Sequence, residues 1–330
     1  MAEHVKMKII FPETADSRVT DAISIINDAG FCEACTLENF DDAVSTDTLA
    51  QHYLDKRIAR GKTITFDEAK EKMRVRLFRA ATLVDMDYAD ASIAGSISPS
   101  EEVIRAGIQA VGIADGVNIV SSWFLMEYKD KTIAFADCGV VQNPTTTQLA
   151  EIAVMTAANY ERYTLNLPKI AMLSYSTHGS GGGDAVAKVR AAAAIVQEKI
   201  AEAYARGERM GSWLLDGEIQ FDAAFDPSVA CIKAPDSPLA GAANIFVFPD
   251  LSSGNIAYKI AERMGGATAI GPLIQGTRKP FMDLSRGCKV TDIVKMAQLL
   301  AASHENETVN FPPTPSPSHA SLHQTGPLAS

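Results

Sequence analysis

Five short stretches gather the residue types that could do chemistry. They are Asp216-Gly217-Glu218, Lys233-Ala234-Pro235-Asp236-Ser237-Pro238, Phe248-Pro249-Asp250, Gly254-Asn255-Ile256-Ala257-Tyr258-Lys259 and Asp283-Leu284-Ser285-Arg286-Gly287-Cys288. Their loop residues cluster directly after apolar strands, and ligands of open α/β sheets bind beyond the carboxyl ends of strands. Taken singly, each stretch is no more than a turn. A glycine-rich loop, Ser176-Thr177-His178-Gly179-Ser180-Gly181-Gly182-Gly183, looks like a phosphate cradle. It fits neither the GxxxxGK[ST] nor the GxGxxG pattern, so a nucleotide does not follow from it. His178 within it reads as a polar loop residue. Cys32 and Cys35 have CxxC spacing, but no second pair and no nearby His completes a zinc set. They read as packed thiols, and no metal site is expected.

The elements that must position these loops alternate between strand and helix. Lys8–Phe11 reads as a strand; Ser17 could cap the helix after it, which Gly30 could stop. Ala91–Ala94 is a second strand. The helix after it carries Ser98 as candidate N-cap, Pro99 at its first position and Glu101 to complete a capping box. Asn118–Tyr128 and Thr132–Asp137 form a hairpin around Lys129-Asp130-Lys131. A helix follows Asn143-Pro144. The strand Lys169–Ser174 leads through the glycine loop into an Ala-rich helix from Asp184. Ile245–Phe248 is a further strand, followed by a helix that contains Arg263, and Val290–Ala302 is the last helix. This pattern predicts an α/β fold with a mixed sheet. From about His304 the chain turns Pro-, Ser- and Asn-rich, with Pro312, Pro313, Pro315 and Pro317 close together, so residues 304–330 read as a disordered tail.

Composition narrows the partners. A chain of 330 residues with 47% hydrophobic and 21% charged residues can bury a sizeable core as one large domain or two ordinary ones. The net charge of −10 argues against nucleic acid, whose backbone demands a basic face. It leaves room for small anions, which need only a local cluster of arginines. The start, Met1 to Lys6, has no apolar core of a secretory leader. No stretch of about 18 apolar residues suggests a membrane span. Five scattered cysteines fit a reducing compartment, so a cytoplasmic location is expected.

Read together rather than singly, the five stretches resemble the phosphate acetyl/butyryltransferase family, and their order and spacing are most similar to its acetyl-transferring branch. Ala171-Met172-Leu173-Ser174-Tyr175-Ser176-Thr177 belongs to the same pattern. The resemblance is strong from about Ile170 to Leu300, traceable through Phe135-Ala136-Asp137 to the N-terminus, and does not cover the tail. It implies two α/β domains with mixed sheets, an architecture like isocitrate and isopropylmalate dehydrogenases, and an active site in the cleft between them. The first domain would take residues 1–114 plus 273–303, the second 115–272. A homodimer is also implied.

The resemblance implies a reaction, the reversible transfer of an acetyl group between coenzyme A and inorganic phosphate, by direct attack of the thiolate in a ternary complex. Coenzyme A and acetyl-CoA would be substrates, and no permanently bound cofactor is implied. Ser285 would lie near the thiol, Arg286 would face the acyl phosphate, and Asp292, seven residues after the serine, would be the base. Arg263, Arg105 and Arg57 match further substrate-binding arginines. The residue types suit the task. Arginine forks hold phosphate oxygens by paired, charge-assisted hydrogen bonds. A thiol with a pKa of roughly 8.5 needs a base to become a nucleophile, and a cation stabilises the oxyanion of the tetrahedral intermediate. Asp292 would sit in the first turn of the last helix, where the dipole favours its charge and makes it a weak base that works by position. Cys288 and Cys138 read as packing residues. A phosphate butyryl- or propanoyltransferase would keep the chemistry and change only the acyl pocket. A non-catalytic acyl-CoA-sensing module would have no need of Ser285, Arg286 and Asp292 together. A dehydrogenase would need metal-binding aspartates that the sequence does not display.

Overall fold

The computed structural model describes residues 6–306. Two sheets organise it. The first is four-stranded, in the order β10-β3-β1-β2, built from β1 (Lys8–Ile10), β2 (Glu33–Cys35), β3 (Ala91–Ala94) and β10 (Phe281–Asp283). All of its pairings are parallel. Parallel strands need crossovers. These are α1 (Ser17–Ala29) between β1 and β2, and α2 (Thr46–Ala59), α3 (Phe66–Arg74) and α4 (Arg76–Asp85) between β2 and β3.

The second sheet is six-stranded, in the order β7-β6-β8-β5-β4-β9. It contains β4 (Ser121–Tyr128), β5 (Lys131–Ala136), β6 (Lys169–Leu173), β7 (Leu214–Ile219), β8 (Ile245–Val247) and β9 (Thr268–Gln275). β7, β6, β8 and β5 run parallel, while β4 pairs antiparallel with both β5 and β9. Mixed directions are thus confined to this sheet. The remaining helices are α5 (Ser100–Ala106), α6 (Thr146–Thr164), α7 (Asp184–Ala205), α8 (Phe221–Phe225), α9 (Pro227–Lys233), α10 (Leu251–Arg263) and α11 (Val290–Asn306).

Several boundaries differ from the sequence expectation for local reasons. Asp16, not Ser17, caps α1 by accepting from Arg18 N, while Gly30 stops it at φ 70° as expected. Ser98 does not cap α5: the helix starts at Ser100, and the Ser98 N–H donates to Glu13 at 3.0 Å. β9 was not predicted, because Gly271-Pro272 interrupts it, but its place at the sheet edge tolerates proline. It stays paired to β4 through Gln275. α11 continues to Asn306, past Ala302. The rest of the expected tail, 307–330, and residues 1–5 lie outside the described residues.

One apolar cluster joins the two sheets. It runs from Ile9 and Phe11 through Ile293, Met296 and Leu300 of α11 to Trp123, Leu149 and Ile152. α11 therefore carries buried residues that pack with elements of both sheets, and its first turn is fixed relative to each. No helix among the described residues is long and apolar enough to cross a membrane. Cys32 and Cys35 are buried free thiols, pushed up by that burial to about 11 and about 12. They are packed as neutral groups.

Candidate active site

A cavity of about 780 Å³ lies where elements of the two sheets face each other. One wall is the loop between β10 and α11, Asp283 to Lys289, with Asp292 and Met296 of α11 and Ser100 and Ile104 of α5. The other wall is Cys138 to Val140 after β5, Asn255, Tyr258, Lys259, Glu262 and Arg263 of α10, and the middle of β9. Of the residues expected to act, Ser285, Arg286, Asp292 and Arg263 line this one space. Arg57 and Arg105 are not among its lining. Arg105 stands one residue beyond Ile104 and pairs with Glu101 on the outside of α5. Arg57 sits on α2, half-buried, its Nε without a hydrogen-bond partner.

Two carboxylates and one arginine hold the first wall. Glu13 is 4% exposed. Its Oε2 accepts from Gly95 N (2.7 Å), Ser96 N (2.7 Å) and Ser96 Oγ (2.9 Å), and its Oε1 accepts from Ser98 N. This fixes the loop between β3 and α5. Arg18 joins that loop to the next. Its Nη2 donates to Ser96 O (3.0 Å), and its Nη1 to Arg286 O (3.0 Å) and Cys288 O (2.6 Å). Asp16 accepts from the same guanidinium and keeps it aimed. Within the loop, Cys288 N donates to Ser285 O at 2.8 Å and Gly287 N lies 3.3 Å from Ser285 Oγ. The turn leaves Ser285 and Arg286 exposed to the cavity. Burial pushes the Cys288 thiol up, partly against the nearby Arg18 charge, so it packs neutral.

The opposite wall is fixed by Asp137. Its Oδ1 accepts from Ser122 Oγ (2.6 Å) and Gly139 N (2.8 Å), and its Oδ2 from Val141 N (2.8 Å). Burial raises this carboxyl despite those bonds. Gly254 lets α10 close onto it: a Cβ there would meet Asp137 O at 2.3 Å. Asn255 Nδ2 donates to Cys138 O, and Tyr258 stacks on Phe124 with ring centroids 4.1 Å apart. Arg263 then projects from the end of α10, its side chain 80% exposed and 3.3 Å from Glu262. A small anionic substrate would meet Arg263 from one wall and Arg286 from the other.

A profile of the family described as Phosphate acetyl/butaryl transferase matches residues 1–301. The chain belongs to that family. It is 39% identical over 316 residues to the phosphate acetyltransferase of Paracoccus denitrificans, covering 91% of this chain and 96% of that one. Among solved structures, a phosphotransacetylase from Streptococcus pyogenes superposes with a TM-score of 0.81 at 37% identity, covering 91% of this chain and 94% of that one. The EutD phosphotransacetylase from Staphylococcus aureus gives 0.78 at 34% identity, covering 90% and 94%. Membership in this family makes the chain an acyltransferase, as the linked motifs implied.

The family's motif residues do not stand alone in the cavity. Arg18, Glu13 and Asp16 shape the loops that carry Ser285 and Arg286, and no spacing in the sequence points to them. Arg18 reaches a partner 268 residues away and Glu13 one 83 residues away. The glycine loop after β6 is organised separately. Glu218 accepts from Ser176 Oγ, Gly179 N and both arms of Arg190, and His178 Nε2 sits 2.9 Å from Asp216 Oδ1. None of these residues lines the cavity. Among the described residues, no group of three or more His, Cys, Asp or Glu is placed to hold a metal ion.

Proposed function

We propose that this chain catalyses acetyl-CoA + phosphate = acetyl phosphate + CoA, in both directions, by direct transfer between substrates bound side by side. One observation carries the proposal: Ser285, Arg286, Asp292 and Arg263, brought from three elements, line one cavity. Coenzyme A enters as a substrate. Asp292 takes the thiol proton. The Ser285 hydroxyl donates to the sulfur as negative charge gathers there. Arg286 stabilises the oxyanion of the tetrahedral intermediate and the phosphate beside it. Arg263 holds phosphate oxygens from the facing wall, with Arg105 and Arg57 as outer contacts for the charged substrate. No bound cofactor is assigned a step.

The same proposal divides the chain into two lobes, residues 1–114 with 273–303 and 115–272, and makes the protein a cytoplasmic homodimer. The motif set of acetyl-transferring members, above all Lys233-Ala234-Pro235-Asp236-Ser237-Pro238 and Ser285-Arg286-Gly287-Cys288, favours the acetyl group over longer chains. The test is phosphorolysis of acetyl-, propanoyl- and butyryl-CoA side by side, with and without a chelator. Acetyl-CoA should have the highest kcat/KM, and chelation should leave the rate intact. Preference for butyryl-CoA would move the protein to the other branch of the family. Loss of activity on chelation, restored by one metal, would overturn the arginine-based scheme.

A further inference from the structure

Besides Asp292 and Glu262, a third carboxyl lines the same cavity. Asp283 ends β10, two residues before Ser285. It is 1% exposed, and neither of its carboxyl oxygens accepts a hydrogen bond. That sets it apart from every other acid near the site. Glu13 and Asp137 are buried but bonded to backbone N–H groups, and Asp292 is half-buried and accepts from Lys289 N at 2.8 Å. The space for Asp283 is kept by a missing side chain. A Cβ on Gly95, which stands at φ 102°, would meet Asp283 Oδ1 at 2.2 Å.

A carboxylate buried without partners is strongly disfavoured, and a native protein keeps such a group mostly where function needs it. The groups facing Asp283 come from three segments: α5, the turn after β1 and the β10–α11 loop itself. The Ser100 hydroxyl on α5 and the following Leu284 N–H lie near it without making a hydrogen bond of normal geometry. Glu13, after β1, presents a like charge, and Arg286, in the next loop, the opposite one. Burial dominates, Ser100 and Arg286 oppose it, and Glu13 adds to it, so that the carboxyl is raised to about 7.

We propose that Asp283 is the acid of the reaction, the partner of Asp292: it waits protonated and gives its proton to the phosphate oxygen that leaves the acyl carbon. This rests on the acyl-transfer function proposed above. In the direction that makes the thioester, the thiol proton goes to Asp292 and the C–S bond forms. The C–O bond to phosphate breaks, its electron pair stays on the phosphate oxygen, and the Asp283 proton joins that oxygen. The phosphate leaves as hydrogen phosphate instead of the far more basic trianion. One proton then passes from Asp292 to Asp283 through solvent, and both acids are reset. In reverse, Asp283 as carboxylate takes the proton of hydrogen phosphate as its oxygen attacks acetyl-CoA, and Asp292 returns a proton to sulfur. Nothing is oxidised or reduced.

The experiment compares the full-length parent, Asp283→Asn and Asp283→Glu. Asp283→Asn removes a buried charge, so its melting temperature at mildly alkaline pH should equal or exceed the parent's. Its kcat should fall on the order of 10²–10³-fold, the worth of a positioned acid. The parent rate should fall as pH rises past the Asp283 titration, and that alkaline limb should be absent from the residual rate of Asp283→Asn. Asp283→Glu should keep part of the limb. A folded Asp283→Asn with near-parent kcat, or one slowed equally at every pH with its alkaline limb intact, would overturn the proposal. Should Asp283→Asn not fold, isotope-edited infrared spectra of the parent decide the matter. A protonated-aspartate band that persists to near neutral pH supports the proposal, and its loss near the ordinary aspartate range sinks it. A parent that moves no acetyl group would fail the function itself, a result separate from any of these.

Discussion

The Asp292 carboxyl serves two purposes, and they can be separated. Its Oδ2 accepts the Lys289 N–H at 2.8 Å, while Asp292 N donates to Lys289 O, so the residue closes the first turn of α11. It also lines the cavity with Ser285. An asparagine keeps an oxygen for the Lys289 N–H and loses the charge. Asp292→Asn should therefore unfold within about 1 kcal/mol of the parent, the scale of a helix-end contact. Its kcat should fall by about 10²–10⁴, the worth of a positioned base. KM for coenzyme A and acetyl phosphate should move less, because their phosphates are held by arginines. Ser285→Ala should lower kcat without a comparable rise in KM, since its hydroxyl matters most as charge builds on sulfur. Steady-state kinetics and denaturant unfolding check both variants. If Asp292→Asn turns over at the parent rate, the carboxyl only ends a helix.

At the scale of elements, one guanidinium decides where the β10–α11 loop sits. Arg18 on the first turn of α1 binds carbonyls of two different loops and is itself held by Asp16. Arg18→Ala frees Arg286 and Cys288 from that anchor without touching any lining residue. A displacement of about 1 Å at a reacting group costs about 10²-fold, so kcat/KM should drop by that order while the fold survives. Arg18→Lys should recover little, because an ammonium cannot reproduce the fork that spans both loops. Rates of the two variants that match the parent's would show that the loop holds its own shape.

What could be read from the sequence follows from how local each feature is. The stop of α1 at Gly30, the hairpin at Lys129-Asp130 and the strand Ala91–Ala94 rest on neighbours in the chain. Ser285, Arg286 and Asp292 share one motif and arrive together. The cap assigned to Ser98 falls one residue short, because the helix starts at Ser100 with Pro99 in the cap position, and the Ser98 N–H goes instead to Glu13, 85 residues earlier. β9 was hidden by a glycine and a proline that only an edge position allows. Asp283 was visible as a letter beside Ser285, but its lack of partners exists only once β3 and β10 are paired.

Across the whole molecule, the buried acids pull stability in opposite directions as pH changes. Glu218, held first by Arg190 and also by Gly179 N and Ser176, titrates at about 2 in the folded protein. A depressed folded value gives stability above the unfolded value of roughly 4.3, lost as pH falls through that window. Asp85 is shifted the same way: burial opposes its charge, but His52, Lys56 and Arg278 outweigh it. Asp283 has the opposite sign. Raised by burial to about 7, it makes the folded chain bind a proton more tightly than the unfolded one. Its stabilising effect is complete below roughly pH 4 and is lost as pH climbs to about 7. A net charge of −10 at neutral pH adds self-repulsion on the same side. Stability should therefore peak on the acidic side of neutrality, near about pH 5. Urea unfolding over a pH series should show this for the parent. Glu218→Gln should lower stability at neutral pH and flatten the acid limb. Asp283→Asn should flatten the decline between about pH 4 and 7 and move the maximum toward neutrality. A parent maximum well above neutrality would mean that Asp283 is ionised and compensated in the folded state. That result would remove both this slope and the proton that the cavity is proposed to hold.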